Sequence, residues 1–372
     1  MKEVYADFAA ATPTDPRVVK AMTPFLTDDF GNPSSAHQYG QAAAGAIDEA
    51  SRQIAGFLNC QPNEIFYTSG GTESNNLAII GVAKANKNRG QHIITTAIEH
   101  PSILNACKAL EKDGWAVTYL PVDKNGLVVT SVLQKALKPE TVLVSIHLAN
   151  SEIGVIQNVA ELARVTKEIG AYFHTDACQA AAFIDLNVQK LGIDLLTFNG
   201  AKMYGPKGSA VLYVKEGTEI FPILYGGGQQ NSLRSGTENV PGIIGLAKAT
   251  EIAQSQRQED SQRIGQLRDQ LQKDLENMSG VSINAIESLR LPNHLSVTFG
   301  QIKETNLVEF FDQRGIALSS GSACSANSVV DSHVLQAIGL SGEQIHRTVR
   351  ISLGRSTATS NISQIIEVSK KV

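Results

Sequence analysis

An α/β fold followed by a smaller α+β unit is predicted by three features of this 372-residue sequence. From about residue 60 to 215, short apolar segments of strand length alternate with segments of helical spacing. Each polar, glycine-bearing cluster in that region falls where a strand ends, which is where open α/β sheets bind ligands. A helical stretch from Pro241 to about Met278 then shifts from apolar and Gly/Ala-rich to charged and Gln-rich, and short strands and helices follow it.

In chain order, residues 4–8 read as a short strand entering a turn through Pro13. Asp15 as cap and Pro16 at the first helical position start a helix over 17–26. Residues 31–35, Gly-Asn-Pro-Ser-Ser, form a loop by composition. Helical spacing runs from 41 to 58, and a strand covers 64–68. Ser69-Gly70-Gly71-Thr72-Glu73-Ser74-Asn75-Asn76 comes next, with an apolar helix from Leu77. Strand, glycine-rich turn and helix start together present free N–H groups to a phosphate; an ordinary loop of small residues has the same composition. Residues 92–96 form a strand, and Pro101-Ser102 open a helix, so His100 projects from a strand's carboxyl end. Strands follow at 117–122 and 141–148, the second rich enough in Val, Ile and Leu to be buried on both faces. It delivers Asn150-Ser151-Glu152-Ile153-Gly154 into a loop, and 159–169 is helical.

The most informative stretch is 172–208. It opens as an apolar strand ending in His174-Thr175-Asp176 and closes on Lys202 in the turn Asn199-Gly200-Ala201-Lys202. Pyridoxal phosphate is held as a lysine Schiff base while a carboxylate pairs with its pyridinium nitrogen, so this pair suits that cofactor. Taken alone, the same two residues also describe an acid ending a strand and a lysine in a surface turn. Farther on, Cys324 sits among Ser319-Ser320-Gly321-Ser322-Ala323 and Ser325-Ala326-Asn327-Ser328. Cysteines are usually buried, so a thiol on a small, polar loop suggests reactivity. Arg350 and Arg355 flank Ile-Ser-Leu-Gly on a strand and its exit, and Arg355 could clamp a carboxylate with two parallel bonds.

Composition narrows the function classes. Hydrophobic residues are 42%, charged residues 18% and the net charge is −4, which fits a soluble globular protein and gives no footprint for nucleic acid. No apolar run approaches the ~20 residues of a membrane span, and MKEVYADF lacks signal-peptide features. Four cysteines without CxxC spacing argue against structural zinc and disulfides and for a reducing cytoplasm.

Taken together, Asp7 to Pro13, Phe30-Gly31-Asn32-Pro33-Ser34, SGGTESNN, EHPSIL, NSEIGVIQ, HTDACQ, NGAKMYGPKG, RSGTEN, SSGSACSA and RISLGR run nearly end to end. In these motifs the chain resembles the pyridoxal-phosphate cysteine desulfurases of the NifS/IscS type, class V of the fold-type-I aminotransferase superfamily, in the group with a long cysteine loop. The resemblance implies a large cofactor domain over 12–257, with a mixed, mostly parallel sheet flanked by helices. A small α+β domain would comprise 1–11 and 258–372 and carry the cysteine loop. It also implies roles. Lys202 would hold pyridoxal 5'-phosphate and shuttle a proton, Asp176 would pair with the ring nitrogen, Gln179 would bond the ring hydroxyl, and His100 would stack and assist proton transfer. Gly71 and Thr72 would bind phosphate with Asn199 and Ala201 nearby, joined by Thr237 from the other subunit of a homodimer. Asn32, Asn150 and Arg355 would hold L-cysteine, with Ser151 near ring and substrate. Cys324 would take the sulfur as a persulfide, leaving L-alanine, for delivery to a thiol acceptor in iron–sulfur assembly or tRNA thiolation.

Three features depart from that pattern. Asn199-Gly200-Ala201-Lys202 replaces the usual Ser-Gly-His-Lys, Ser151 replaces an asparagine, and the longer tail that helps relatives dock a scaffold protein does not follow Arg355. Alternatives on the same fold are a selenocysteine lyase, an aminotransferase-like enzyme and a regulatory homologue without turnover.

Overall fold

The computed structural model describes residues 3–300, 306–320 and 331–372. Its strands are β1 (Val4–Tyr5), β2 (Ile65–Thr68), β3 (His92–Thr96), β4 (Ala116–Leu120), β5 (Thr141–Ser145), β6 (Tyr172–Asp176), β7 (Leu195–Asn199), β8 (Ala210–Val214), β9 (Val281–Ile283), β10 (His294–Phe299), β11 (Ile316–Ala317) and β12 (Thr348–Ser352). Seven form one sheet in the order β2-β8-β7-β6-β5-β3-β4. β4, β3, β5, β6 and β7 are parallel, whereas β8 is antiparallel to both β7 and β2. The sheet is therefore mixed and mostly parallel, on an α/β plan flanked by helices.

Side chains alternate across a strand, and the two sheet faces bury opposite parities. Ile94, Val144, Phe173, Leu196 and Val211 pack with the helices Gln38–Leu58 and Val159–Lys167. Ile93, Leu143, Leu195 and Leu212 pack with Gly71–Ala85 and Pro101–Lys112. A separate three-stranded antiparallel sheet, β12-β10-β9, and the parallel pair β1-β11 complete the framework. One helix, Val240–Glu276, serves both cores. Its first half places Ile243, Leu246 and Ile252 on the large sheet, and its second half places Ile264, Leu271 and Leu275 on the small one. The composition shift along it marks that change of partner, because the second half is covered on one narrow stripe only. Among the described residues no helix is long and apolar enough to cross a membrane.

Several element boundaries differ from the sequence expectation, and three bear on the framework of the site. The helix expected over 17–26 is two, Pro16–Met22 and Pro24–Thr27, because Pro24 has no N–H with which to continue the first. The helix expected from Leu77 begins at Gly71, so the glycine-rich motif is itself the first turn. β5 stops at Ser145, although the Ile146 and Leu148 amides go on bonding to the His174 and Asp176 carbonyls.

The loop after β5 is shaped by Gly154. Its φ is +72°, and a Cβ there would lie 2.4 Å from His294 Cβ on β10. Left-handed backbone costs an L residue about 1–2 kcal/mol, and this close approach adds to it. Gly154→Ala is expected to lower the urea midpoint more than Gly114→Ala, which has a φ of +87° but open space around it. Equal losses would remove the packing contribution.

Candidate active site

The carboxyl ends of β3, β5, β6 and β7 open onto one cavity of about 340 Å³. Of the residues singled out from sequence, Gly71, Thr72, His100, Asn150, Ser151, Asp176, Gln179, Asn199, Ala201 and Lys202 all line it.

One end of it is the start of the helix Gly71–Ala85, where N–H groups lack intrahelical partners, an arrangement suited to an anion. Gly71 is required by space: a Cβ would meet Cys178 Sγ at 2.8 Å and Asn199 Nδ2 at 3.1 Å. Asn199 Oδ1 is buried without a hydrogen-bond partner among the described residues. Burial first, then the Asp176 carboxylate, pushes the Cys178 thiol well above its ordinary value, so it fills space as a neutral group.

Asp176 ends β6, buried. Its Oδ2 accepts from Asn75 Nδ2 at 2.7 Å and its Oδ1 from the Cys178 amide at 2.9 Å. Burial pushes the carboxyl up, but the nearby His100 imidazole and these two amides outweigh it and hold Asp176 below the usual carboxylate value. His100 caps the helix Pro101–Lys112, with Nδ1 accepting from the Ser102 amide at 3.1 Å. By contrast His174, two residues before Asp176, bonds to Ser145 and Thr197 inside the sheet, and burial pushes it down to about 4.

Lys202 closes a short 3-10 turn, Gly200–Lys202, at the end of β7. Its amine bonds to the Ala10 carbonyl. The segment after β1 forms the opposite wall: Thr12 N–H donates to the Ala201 carbonyl at 2.9 Å, and Gln179 Nε2 donates to the Ala9 carbonyl at 3.0 Å. Lys207, the other lysine of this stretch, is exposed.

Other expected residues stand elsewhere or are engaged differently. Arg355 does not line the cavity. It bonds to Asp260 at 2.7 Å, stacks over Tyr204 at 4.2 Å and braces the back of the Lys202 turn, because it lies beyond the end of β12. Arg350, on β12 itself, does line it. It is 3% exposed, pairs with Asp7 Oδ1 at 2.6 Å, donates to the Ser151 carbonyl at 3.0 Å and keeps Nε without a partner among the described residues. The Asn150 side chain is committed to backbone, donating to Ile98 O and accepting from the Glu152 and Ile153 amides. Asn32 lies in an exposed loop and accepts from the Ser34 amide. Thr237 is exposed and lines a separate hollow with Ser69 and Arg234. Cys324 lies outside the described residues. The flanks of its loop reach the cavity wall: Ser319 pairs with Arg350 through backbone bonds, and Ser332 Oγ donates to Glu152 Oε2 at 2.6 Å. Burial raises the Glu152 carboxyl despite that bond.

Sequence reasoning passed over Asn75, Ser102 and Glu152 and favoured the wrong end of the arginine pair for a place in the cavity. A signal for Arg350 was present: Val349, Ile351 and Leu353 are the apolar parity of that strand, which leaves Arg350 on the other face.

A family model described as aminotransferase class V matches residues 4–365. The chain belongs to that family. Class V relatives include the cysteine desulfurase IscS of Dictyoglomus turgidum, 44% identical over 372 residues, covering 100% of this chain and 94% of that protein. The cysteine desulfurase IscS of Methanosarcina thermophila is 45% identical over 367 residues, covering 99% and 91%. Among solved structures, a NifS-like protein superposes with a TM-score of 0.93 at 36% identity, covering 99% of this chain and 98% of that one. A structure described as SspA in complex with cysteine gives 0.84 at 38%, covering 95% and 100%.

Class V enzymes use pyridoxal phosphate, and the residues present fit it. The cradle at Gly71, the ionised Asp176 and the cavity-lining Lys202 match phosphate, ring and aldehyde in turn. Gly71→Ala is expected to weaken cofactor retention about tenfold, the equivalent of about 1.4 kcal/mol. Adding Cys178→Ala should restore it by vacating the space the new methyl needs, and spectrophotometric titration of the apoprotein measures both.

Proposed function

We propose that this protein is a cysteine desulfurase, converting L-cysteine and a thiol acceptor to L-alanine and a persulfide carried on Cys324. The observation that carries the reading is the gathering of Lys202, His100 and Asp176 around one cavity at a helix N-terminus, in a chain similar along its whole length to proteins named for this reaction.

Pyridoxal phosphate, when bound, supplies an electron sink for bonds at the substrate's carbons. Gly71 and Thr72 would bind its phosphate, with Asn199 beside them and Ala201 leaving room. Asp176 would face its ring nitrogen, Gln179 its hydroxyl, and His100 its ring. Lys202 Nζ holds and returns the proton at the substrate carbon. The Cys324 thiolate attacks the sulfur of bound L-cysteine. The carbon–sulfur bond breaks, its electron pair stays with carbon and takes a proton, and the new sulfur–sulfur bond leaves the persulfide. A thiol acceptor, such as an iron–sulfur scaffold protein, then removes the outer sulfur.

For the substrate carboxylate we assign Arg350 rather than Arg355. Arg350 lines the cavity and keeps a buried N–H without a partner, whereas Arg355 is engaged by Asp260 and Tyr204. Asn150 and Ser151 would shape that end, Asn150 through the turn its side chain fixes.

We also propose a large domain over 12–257 and a small one from 1–11 with 258–372, consistent with the two sheets. Exposed Phe30, Tyr39, Phe221, Leu224 and Tyr225 support a homodimer, in which Thr237 would complete the partner's phosphate site and Asn32 the substrate end. Free thiols at Cys60, Cys107 and Cys178 suit a reducing cytoplasm.

Cofactor-loaded protein given L-cysteine and a reducing thiol is expected to form alanine and sulfide in equal amounts. Cys324→Ala should lose both while keeping the cofactor's absorption, and full turnover by that variant would sink the persulfide assignment. The arginine assignment is separable. Arg350→Lys is expected to raise KM for cysteine about 10- to 100-fold, the effect of a lost charged hydrogen bond of about 1.5–3 kcal/mol. Arg355→Ala should lower the melting temperature with KM near its original value, and the opposite pattern would return the clamp to Arg355.

A further inference from the structure

We propose that Asn75 and Ser102 are positioning residues that tie Asp176 to His100 and fix which nitrogen of that histidine carries the proton. The functional consequence rests on the cofactor reading given above; the bond directions do not.

Asn75 is 1% exposed, near the start of the helix Gly71–Ala85. Its Nδ2 lies 2.7 Å from Asp176 Oδ2 and 2.9 Å from Ser102 Oγ. An ionised carboxylate only accepts, so the amide nitrogen must face Asp176 and the orientation of the Asn75 amide is determined. That nitrogen has two hydrogens, one for each partner. The amide's other end, Oδ1, is buried with no partner among the described residues, so Asn75 is held by what its nitrogen does.

Ser102 Oγ therefore accepts from Asn75 and has its own hydrogen left to give. His100 Nδ1 lies 2.8 Å away. The Ser102 backbone N–H donates to the same nitrogen at 3.1 Å. Two donors converging on Nδ1 require a lone pair there, so the proton of the neutral ring sits on Nε2. The chain of bonds has one direction: Asn75 to Asp176, Asn75 to Ser102, Ser102 to His100.

The consequence for chemistry is a division of labour. His100 lines the cavity with its proton on Nε2, and it cannot take a proton at Nδ1 without displacing Ser102. Any proton removed from a substrate carbon therefore falls to Lys202 rather than to His100. Asn75 at the same time supplies Asp176 with a donor that neither strand β6 nor the cofactor ring provides.

The test begins with full-length, cofactor-loaded protein labelled with 15N-histidine. Long-range 1H–15N correlation, with His100→Gln to assign the signal, is expected to show His100 with an unprotonated Nδ1 and a protonated Nε2. A protonated Nδ1 in the unmutated protein would overturn the proposal. Ser102→Ala keeps the backbone donor to Nδ1 and loses the hydroxyl, so Nε2 should stay protonated while the Nδ1 15N shift moves toward that of a weakly bonded lone pair, and an unchanged Nδ1 shift would overturn the role of Ser102. Titrating the apoproteins with pyridoxal phosphate supplies a third readout. Asn75→Ala is expected to weaken binding about tenfold and Ser102→Ala about threefold, with the double variant no worse than Asn75→Ala because both act through one chain of bonds. Fully additive losses would overturn the coupling. Should either variant fail to fold, the tautomer of the unmutated protein still decides. Protein that forms no alanine but shows the Nε2 tautomer would fail the desulfurase reading and keep this one.

Discussion

A carboxylate buried in a protein must be met by donors, because stripping it of water costs several kilocalories per mole even after relaxation. Asp176 is that group here, and much of the site follows from satisfying it. Its position is set by β6, which lies between β5 and β7 where backbone bonds on both sides leave no freedom. Its two oxygens take donors from different places, the Cys178 amide immediately downstream and Asn75 from a helix 101 residues earlier. That helix is the one whose N-terminus makes the anion cradle. The charge proposed to pair with a ring nitrogen and the dipole proposed to hold a phosphate are thus carried on one rigid pair of elements. Displacing either would move both, so the spacing between the two ends of a bound ring is set by the strand and helix rather than by loops.

The other wall is built by the beginning and end of the chain. β1 pairs with β11, the Ser352 amide donates to Ala6, and Arg350 of β12 pairs with Asp7. Residues 9–12 then run along the cavity and hold the Lys202 turn and Gln179. The same β12 that receives the N-terminal segment receives Ser319 through backbone bonds, while Ser332 is held by Glu152. Both flanks of the cysteine-bearing segment are therefore tied to residues at the cavity wall. Burial of Arg350 between Asp7 and the Ser151 carbonyl makes it a fixed cation whose Nε–H has no partner among the described residues.

The sheet and most of the site were legible in the sequence for the same reason: polar clusters stand at strand ends, and strand ends are where an α/β sheet presents residues together. Asp176, His100, Lys202 and the glycine-rich turn could be placed without knowing strand order. The start of the helix at Gly71 was not legible, since two glycines read as a turn; the close approach of Cys178 and Asn199 that demands glycine joins segments more than 100 residues apart. Asn75 and Ser102 were hidden similarly, each an unremarkable small polar residue until the fold brings them within bonding distance. The arginines differ, for β12 and the residue after it alternate apolar Val349, Ile351 and Leu353 with Thr348, Arg350 and Ser352. That alternation alone turns Arg350 away from the hydrophobic core, whereas Arg355 lies past the strand where alternation has no force. A strand parity was readable there, and the expectation of Arg355 as the carboxylate clamp did not use it.

The same distinction between backbone and side-chain support explains how Ala201 stands where relatives carry an imidazole. A side chain at this position can brace the turn or contact a phosphate, and alanine can do neither through polar atoms. The brace is provided instead by the backbone: the Ala201 carbonyl accepts from both the Thr12 amide and the Thr12 hydroxyl, and the same hydroxyl accepts from the Tyr204 amide. Gly200 lets the turn close on itself, since a Cβ there would lie 2.6 Å from the Pro206 carbonyl. Arg355, bonded through its amide to the Tyr204 hydroxyl and stacked on that ring, closes the turn from behind. None of these bonds involves the side chain at 201, so the placement of Lys202 is independent of it. What alanine cannot supply is a hydrogen bond from position 201 to the proposed phosphate; at that end of the cavity the N–H groups at the start of the helix Gly71–Ala85, the Thr72 hydroxyl and Asn199 Nδ2 are the donors that can serve it.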